Sequence, residues 1–319
     1  MSGDGGNTCV IKPSAIDSLV TLKYIEIISK LDIPPGTVNV VTGPGSTVGD
    51  ALVSHPDVNF ISFTGSSETG KEIMSAAGGT LKRAQMELGG KNPFIVLEDA
   101  DIDKIAPQAA GSTCHNTGMV CASPGRFYIH EKIHDVFVEK YIEAVKKITV
   151  GDPNDENTEM GPVVSAEHRD RVEGYIKSGI DEGAKLLLGW ERPSNPPMEK
   201  GYYVLPAVFV DVRSHMNIFR EEIFGPVACC IKFSSDEEVI ESANDNVYGL
   251  CASVWTRDIS RGYKIISRIN AGAVGVNSGR FVSPEIPWGG FKESGFGKEN
   301  SVYGLEEYTQ LKLVTVEFQ

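Results

Sequence analysis

Four short segments of the chain hold residue types that do chemistry. Asn116-Thr117-Gly118-Met119-Val120-Cys121 sets a cysteine between a predicted helix and a predicted strand. A thiol on such a junction is partly open, and its thiolate is a strong nucleophile once activated. The plainer alternative is a buried packing cysteine, which is the reading for Cys9, Cys114, Cys229, Cys230 and Cys251. Met86–Pro93 places Glu87 at the end of an apolar strand beside Gly89 and Gly90. A carboxyl against an apolar wall has a raised pKa and serves as a general base; the alternative is a surface or ion-paired Glu. Phe63–Gly70 (FTGSSETG) follows a strand and opens a helix, where free N–H groups and the helix dipole suit a phosphate. Gly65 would admit the ligand to the backbone, although the spacing is not GxGxxG and a Ser-capped turn explains it equally well. Arg220–Val227 joins Glu221 and Glu222 to Phe224 and a turn; a Glu accepts both hydroxyls of a ribose and a ring walls a flat cofactor, while any exposed turn has the same composition.

These segments need elements to position them. The spacing predicts strands at 8–12, 37–42, 58–63, 84–88 and 93–97, and helices at 15–31 with Ser14 as cap, from Ser46, and up to Ala77. Further on it predicts helices at 102–115, 133–148, 166–182, 236–244 and 259–270, and strands at 126–130, 227–233, 251–255 and 273–277. Alternation of strand and helix with short links means an α/β fold with a parallel sheet and right-handed crossovers. The tail 312–318 (KLVTVEF) alternates as a terminal strand, and 191–201 reads as an exposed loop. The acidic run Glu98, Asp99, Asp101 and Asp103 reads as helix capping, not as a metal site.

Composition narrows the function classes. The net charge of −13 opposes nonspecific binding to nucleic acid or to an anionic membrane. No apolar run is long enough to span a bilayer, and Met1–Val20 shows no signal-peptide pattern. The six cysteines are scattered without a CxxC, so a cytoplasmic protein with reduced thiols is expected, with neither a disulfide framework nor a metal site. Glycine is abundant, 34 residues of 319, as tight turns and close backbone approaches require.

In combination and in this order, the segments closely resemble the aldehyde dehydrogenase superfamily. The matching stretches are Asn7–Ser14, Phe63–Gly70, Glu87–Pro93, Asn116–Cys121, Glu221–Val227, Pro287–Gly290 and Ser294–Glu299. The resemblance implies that family's α/β fold: a partial Rossmann-type dinucleotide domain at 1–88, a catalytic thiol domain at 89–291, and a return segment with an oligomerisation strand at 292–319. It implies NAD- or NADP-dependent oxidation of a small aldehyde to a carboxylic acid by a homo-oligomer, dimer or tetramer. By resemblance Cys121 is the nucleophile, Glu87 the base for the deacylating water, and Glu299 a proton relay. The presence of Glu87 disfavours the CoA-acylating branch. Lys12, Ser14, Gly65 and Ser66 fall at cofactor-binding positions, Lys12 and Ser66 resembling contacts to the adenosine ribose and pyrophosphate. Glu222 resembles the nicotinamide-ribose anchor, with Phe224 beside it. The Cys121 N–H would form half of an oxyanion hole.

Two departures from the family pattern bear on this expectation. Family chains run about half as long again and begin far upstream of Asn7, with opening dinucleotide-domain strands and the Asn that completes the oxyanion hole; losing one such donor costs about 10²–10³ in rate. This motivates an alternative: a truncated, non-catalytic fragment or pseudoenzyme acting as an assembly or binding module. A weaker third reading is a cofactor-independent thiol esterase. The second departure is Ala15, where many NAD-preferring members carry Glu, so NADP fits as well. For the substrate, Met119, Val120, Phe281 and Trp288 fall at or near the family's aldehyde tunnel. Trp288 resembles its counterpart in betaine- and aminoaldehyde dehydrogenases, where an indole holds an ammonium by cation–π attraction; a plain hydrophobic wall is the alternative.

Overall fold

The structure is a computed structural model that describes residues 5–193, 198–279 and 281–318. The first elements are β1 (Cys9–Ile11), α1 (Ser18–Ile28), β2 (Val38–Val40), a π-helical turn (Gly45–Gly49), α2 (Asp50–Ser54), β3 (Phe60–Thr64), α3 (Ser67–Gly78) and β4 (Arg83–Glu87). There follow β5 (Asn92–Val96), α4 (Ile102–Cys114), β6 (Pro124–His130), α5 (His134–Val145), α6 (Ala166–Asp181), β7 (Lys185–Leu188), β8 (Ala207–Val210) and α7 (Asn217–Arg220). The chain ends with β9 (Val227–Phe233), α8 (Asp236–Asn244), β10 (Tyr248–Gly249), β11 (Cys251–Trp255), α9 (Ile259–Ile266), β12 (Ala273–Val276), β13 (Phe291–Lys292), β14 (Gly295–Phe296) and α10 (Ser301–Glu307).

The chain divides into two compact units. One comprises residues 1–87, 282–289 and 295–319; the other comprises 88–281 and 290–294. The larger unit is built on a seven-stranded sheet in the order β12-β11-β5-β6-β9-β8-β7, parallel except for the β7–β8 pair. Its central strands are buried on both faces, as a parallel sheet covered by helices requires. Phe94, Val96, Phe127, Ile129 and Cys230 face one core with α4 and α5. Ile95, Leu97, Tyr128 and Cys229 face the other with α6, α8 and α9. The helix starts are capped as their sequences demand: Ser165 accepts from His168 N–H, Ser235 from Glu238 N–H and Asp258 from Arg261 N–H.

The carboxyl ends of this sheet are closed by the protein's own charges. Asp99 accepts from the Thr256 hydroxyl at 2.7 Å and from the N–H groups of Arg257 and Asp258 at 2.9 and 3.0 Å. Arg261 bridges Asp236 and Glu98. The acidic run is therefore occupied in capping and ion pairing.

The smaller unit carries a parallel pair, β1–β2, and a three-stranded sheet in the order β14-β4-β3. Three expectations are corrected. The first helix starts at Ser18, not Ala15, because the Ser14 carbonyl accepts the Asp17 N–H and the Ser18 hydroxyl and so closes a separate turn. The helix from Ser46 is a π-helical turn running into α2. The tail over 312–318 forms no strand: it has no ladder neighbour among the described residues, and Leu313, Val316 and Phe318 stand exposed. In the loop expected at 191–201, residues 194–197 lie outside the described residues, and Met198–Lys200 form a 3₁₀ turn.

Candidate active site

In the larger unit, the cysteine at 121 is set by an unusual backbone. Asn116 (φ 47°, ψ 37°) and Thr117 (φ 57°, ψ 31°) are both left-handed, and Gly118 follows at φ 72°. For a β-branched residue such as Thr117 this is a strained conformation. The loop holds it by the Asn116 side-chain amide donating to the Met119 carbonyl at 3.0 Å and the Thr117 hydroxyl donating to the Gly161 carbonyl at 3.0 Å. Below the loop, the Asn92 amide donates to the carbonyls of Cys121 at 2.7 Å and Ser123 at 2.9 Å. The Asn92 oxygen accepts the Cys251 N–H at 3.1 Å. Asn92 opens β5, Cys251 opens β11, and Cys121 lies just ahead of β6, so the thiol sits at the amino end of the sheet.

Cys121 also differs from the other thiols. It is half-buried, while Cys114, Cys229, Cys230 and Cys251 are buried. Burial pushes the Cys114 thiol up to about 12 and raises those of Cys229, Cys230 and Cys251 as well. These four are held as thiols. Cys9, in β1, is half-buried too. A cavity of about 390 Å³ flanks the Cys121 loop, lined by Val120 and Ala122, by Gln108, Ser112 and His115, and by Phe281. Met119 packs instead against the hydrophobic core.

Glu222 lies on the Gly89–Gly90 turn of the same unit. Its Oε1 accepts the Gly90 N–H at 3.0 Å, and a Cβ at residue 89 would fall 2.2 Å from its Oε2. Only glycine allows this approach. Desolvation raises the Glu222 pKa, offset in part by the Gly90 hydrogen bond and by Lys91 and Arg171. Phe224 (φ 57°) lines the same small cavity as Glu222, with its carbonyl oxygen 2.7 Å from His168 Nε2.

The smaller unit holds the second acid. Glu87 ends β4, pairs with Gly295 of β14, and is 4% exposed. Neither carboxylate oxygen makes a well-formed hydrogen bond among the described residues, the Trp288 side chain offering a weak one at most. Desolvation, reinforced by the negative charge of Glu299, pushes its pKa up to about 7, with Trp288 and Lys298 opposing. Trp288 and Glu299 are joined by reciprocal backbone hydrogen bonds of 2.8 and 2.7 Å. The structure thus brings Glu87, Trp288 and Glu299 into one group. Trp288 is buried, and no Lys or Arg stacks on its ring among the described residues.

At the start of α3, Ser66 caps the helix by accepting the Thr69 N–H at 3.2 Å, and the Gly65 N–H donates to the Glu87 carbonyl at 3.0 Å. Lys12 Nζ donates to the Pro13 carbonyl at 2.6 Å. Ser14 and Ala15 are exposed. Two buried polar residues beside these segments were not singled out from the sequence: Asn92, which holds the Cys121 loop, and its neighbour Lys91. Asn92 and Lys91 follow a glycine pair and read as turn residues, though both are buried. No cluster of metal-binding side chains and no helix long and apolar enough to cross a membrane occurs among the described residues.

Comparison with known proteins bears on these groups. The family model described as Aldehyde dehydrogenase family matches residues 5–314. The betaine aldehyde dehydrogenase of Bacillus subtilis (strain 168) is 45% identical over 309 residues, 97% of this chain and 63% of that protein. This chain therefore spans less than two thirds of that relative's length. The crystal structure of Staphylococcus aureus betaine aldehyde dehydrogenase in complex with NAD+ superposes with a TM-score of 0.92 at 38% identity, covering 94% of this chain and 60% of that one. A point mutant of the same enzyme, with NAD+ and a mercaptoethanol-modified cysteine, superposes equally well, with 61% of its chain covered. The match over nearly all of the chain, with the thiol loop and the buried carboxyl within it, places this protein in the aldehyde dehydrogenase family.

Proposed function

We propose that the protein oxidises an aldehyde to a carboxylic acid with NAD+ or NADP+, using Cys121 as nucleophile. The observation that carries the reading is the contrast among the thiols: in the larger unit four are buried and held protonated, and Cys121 stands half-open on a strained loop.

The residues fit a dinucleotide. The α3 amino terminus, with Gly65 and Ser66, suits a pyrophosphate, and Lys12 and Ser14 the adenosine ribose. Glu222 offers a carboxylate beside Phe224 for the nicotinamide ribose. When bound, the dinucleotide supplies the hydride acceptor. Ala15 presents no carboxylate against a 2′-phosphate, so both cofactors are accepted. The Cys121 thiolate adds to the aldehyde carbon, and the Cys121 N–H stabilises the oxyanion. After oxidation a Cys121 thioester remains. Glu87, with a pKa of about 7, takes a proton from water, which attacks the thioester and releases the acid. Glu299 passes that proton on.

Val120, Met119, Phe281 and Trp288 are assigned to the aldehyde. The cavity beside Val120 and Phe281 takes the acyl group. The relatives' betaine aldehyde makes a cationic aldehyde the first substrate to try, with Trp288 as its aromatic contact. A cytoplasmic homo-oligomer, dimer or tetramer, belongs to the same reading, with the exposed apolar tail 311–318 available for pairing.

The test mixes the purified protein with betaine aldehyde, or an uncharged aldehyde of similar size, and NAD+ or NADP+. Reduced cofactor should appear, and should vanish in Cys121→Ser. Ester hydrolysis without cofactor would favour a plain thiol esterase. Neither cofactor binding nor turnover would leave a non-catalytic binding module.

A further inference from the structure

The reaction outlined above leaves one buried charge unused. Lys91 is 3% exposed, and burial lowers the pKa of its ammonium. Its own carbonyl accepts from Arg126 Nε at 2.9 Å, which fixes the backbone. Its stem is pressed against Gly125, where a Cβ would lie 3.1 Å from Lys91 Cδ and 3.4 Å from Nζ. The side chain therefore has a defined slot. That slot opens on a cavity of about 20 Å³ shared by Gly90, Gly125, Glu222 and Phe224. Lys91 and Glu222 form no direct ion pair, and each shifts the other's titration. A cavity of ~10–15 Å³ or more with polar walls holds one water.

We propose that Lys91 is a positioning residue for Glu222, acting across a single water in this cavity to hold the Glu222 carboxylate ionised and seated on the Gly89–Gly90 turn. Among the described residues the charges facing Glu222 are Lys91, just ahead of β5, and Arg171 of α6, whose guanidinium donates to the Glu222 carbonyl at 3.4 Å. Cys229, Arg126 and Glu221 face Lys91 as well, Arg126 being equally buried but not on the cavity. Of these, Lys91 alone is both fully enclosed and on the cavity. A cation in a low-dielectric slot acts on a neighbouring carboxylate more strongly than an exposed Arg171 does. The consequence for cofactor rests on the proposed function: an ionised Glu222 accepts the hydroxyls of a ribose, and a protonated or turned one does not.

The experiment compares the protein with Lys91→Met, which keeps the length and apolar stem. In the absence of any ligand, carbon-13 NMR of Glu222 follows its titration. The expected result is a rise of about one pH unit in Lys91→Met; an unchanged titration overturns the proposal. Should Lys91→Met not fold, Glu222→Gln gives the reciprocal reading, with the Lys91 ammonium expected to titrate at lower pH and an unchanged ammonium overturning the proposal. Cofactor binding is then measured with NAD+ and with AMP, which lacks the nicotinamide half. NAD+ affinity should fall about tenfold in Lys91→Met while AMP affinity stays within twofold, and in a Glu222→Gln background the Lys91 change should have little further effect. Equal losses for both ligands would mean a merely structural role and would also overturn it. If Glu222 shifts as expected and the unaltered protein binds no dinucleotide, the functional reading fails and the positioning role stands.

Discussion

The Asn92 amide and the Cys121 backbone form the shortest polar contact beneath the Cys121 loop, a 2.7 Å hydrogen bond from Nδ2 to the Cys121 carbonyl. The same amide holds Ser123 and Cys251, so one buried side chain ties β5, the loop and β11 together. Asn92→Ala would leave two carbonyls and an N–H without a partner in a closed space. Each buried orphan costs about 1–3 kcal/mol, so a loss of about 3 kcal/mol or more is expected in urea unfolding. Asn92→Asp keeps the acceptor for Cys251 and places a charge against two carbonyls, so it should be no milder. The alkylation rate of Cys121 should change in both variants, and an unchanged rate would show that Asn92 does not set the thiol.

With Glu87 as the base of the proposed function, stability and turnover are expected to run in opposite directions with pH. Its folded pKa of about 7 lies above the ordinary 4.5. Between these values the folded state binds more protons than the unfolded state, so stability falls as pH rises through that window. The stabilisation is complete below pH 4.5 and gone above about 7.5. Replacing Glu87 by Gln should therefore leave stability near pH 4.5 unchanged and raise it at pH 8 by at most about 3.5 kcal/mol, taking one pKa unit as ~1.4 kcal/mol. On the proposed function turnover needs the ionised form, so it should rise with pH through about 7 and be lost in Glu87→Gln. Unfolding curves of the two proteins at pH 4.5 and 8 separate these effects.

The elements of the larger unit were legible because their sequence signals agree. Ser235 precedes three acids and an apolar face, and the helix at 236–244 forms with those bounds. The strands at 227–233 and 251–255 are apolar runs bounded by turn residues, and both form as read. Lys185–Leu188 and Ala207–Val210 were not read as strands. Each has four residues, too few to show a period, and their pairing is decided by neighbours distant in sequence. Ser14 has the residue type of a helix cap, and its carbonyl bonds close a turn three residues short of the helix. Cys121 and Glu222 of the larger unit and Glu87 of the smaller one were singled out from residue type and order, and the structure sets Cys121 half-buried and encloses both acids. Asn92 and Lys91 were not singled out, because an Asn and a Lys after two glycines describe a surface turn. The one hint was that Asn92 opens, and Lys91 directly precedes, a strand, NPFIV, that is buried throughout.

Arg126 is a second buried cation, held without a carboxylate. Its guanidinium donates to the Lys91, Ser242 and Ala243 carbonyls and to the Tyr128 hydroxyl. Ser242 and Ala243 lie in the last turn of α8, where unsatisfied carbonyls and the helix dipole favour a positive charge. The rings of Tyr128 and Phe219 lie 5.6 and 5.2 Å from the guanidinium carbon. Arg126→Met fills the same length and abandons all four partners, so it should cost about 3–5 kcal/mol in urea unfolding. A loss under about 1 kcal/mol would mean that water replaces the guanidinium.

Gly118 fixes how close the Cys121 loop lies to the turn that carries Phe224. It has φ of 72°, and a Cβ there would fall 2.3 Å from the carbonyl carbon and oxygen of Gly225. Both objections act together: the backbone region disfavours an L side chain, and the atoms met are main chain, which cannot swing aside. Gly118→Ala must therefore move the loop or the 224–226 turn, with a loss of at least about 2 kcal/mol expected. The displacement reaches Cys121 three residues on and Phe224 across the contact. Thermal unfolding should show a lowered midpoint, and the alkylation rate of Cys121 should change with it. Gly125→Ala is the control, since its Cβ would meet only the Lys91 side chain, at 3.1 Å. It should leave the Cys121 alkylation rate within twofold of the unaltered protein, whereas an equal effect from the two substitutions would show that main-chain contact at Gly118 is not what sets the loop.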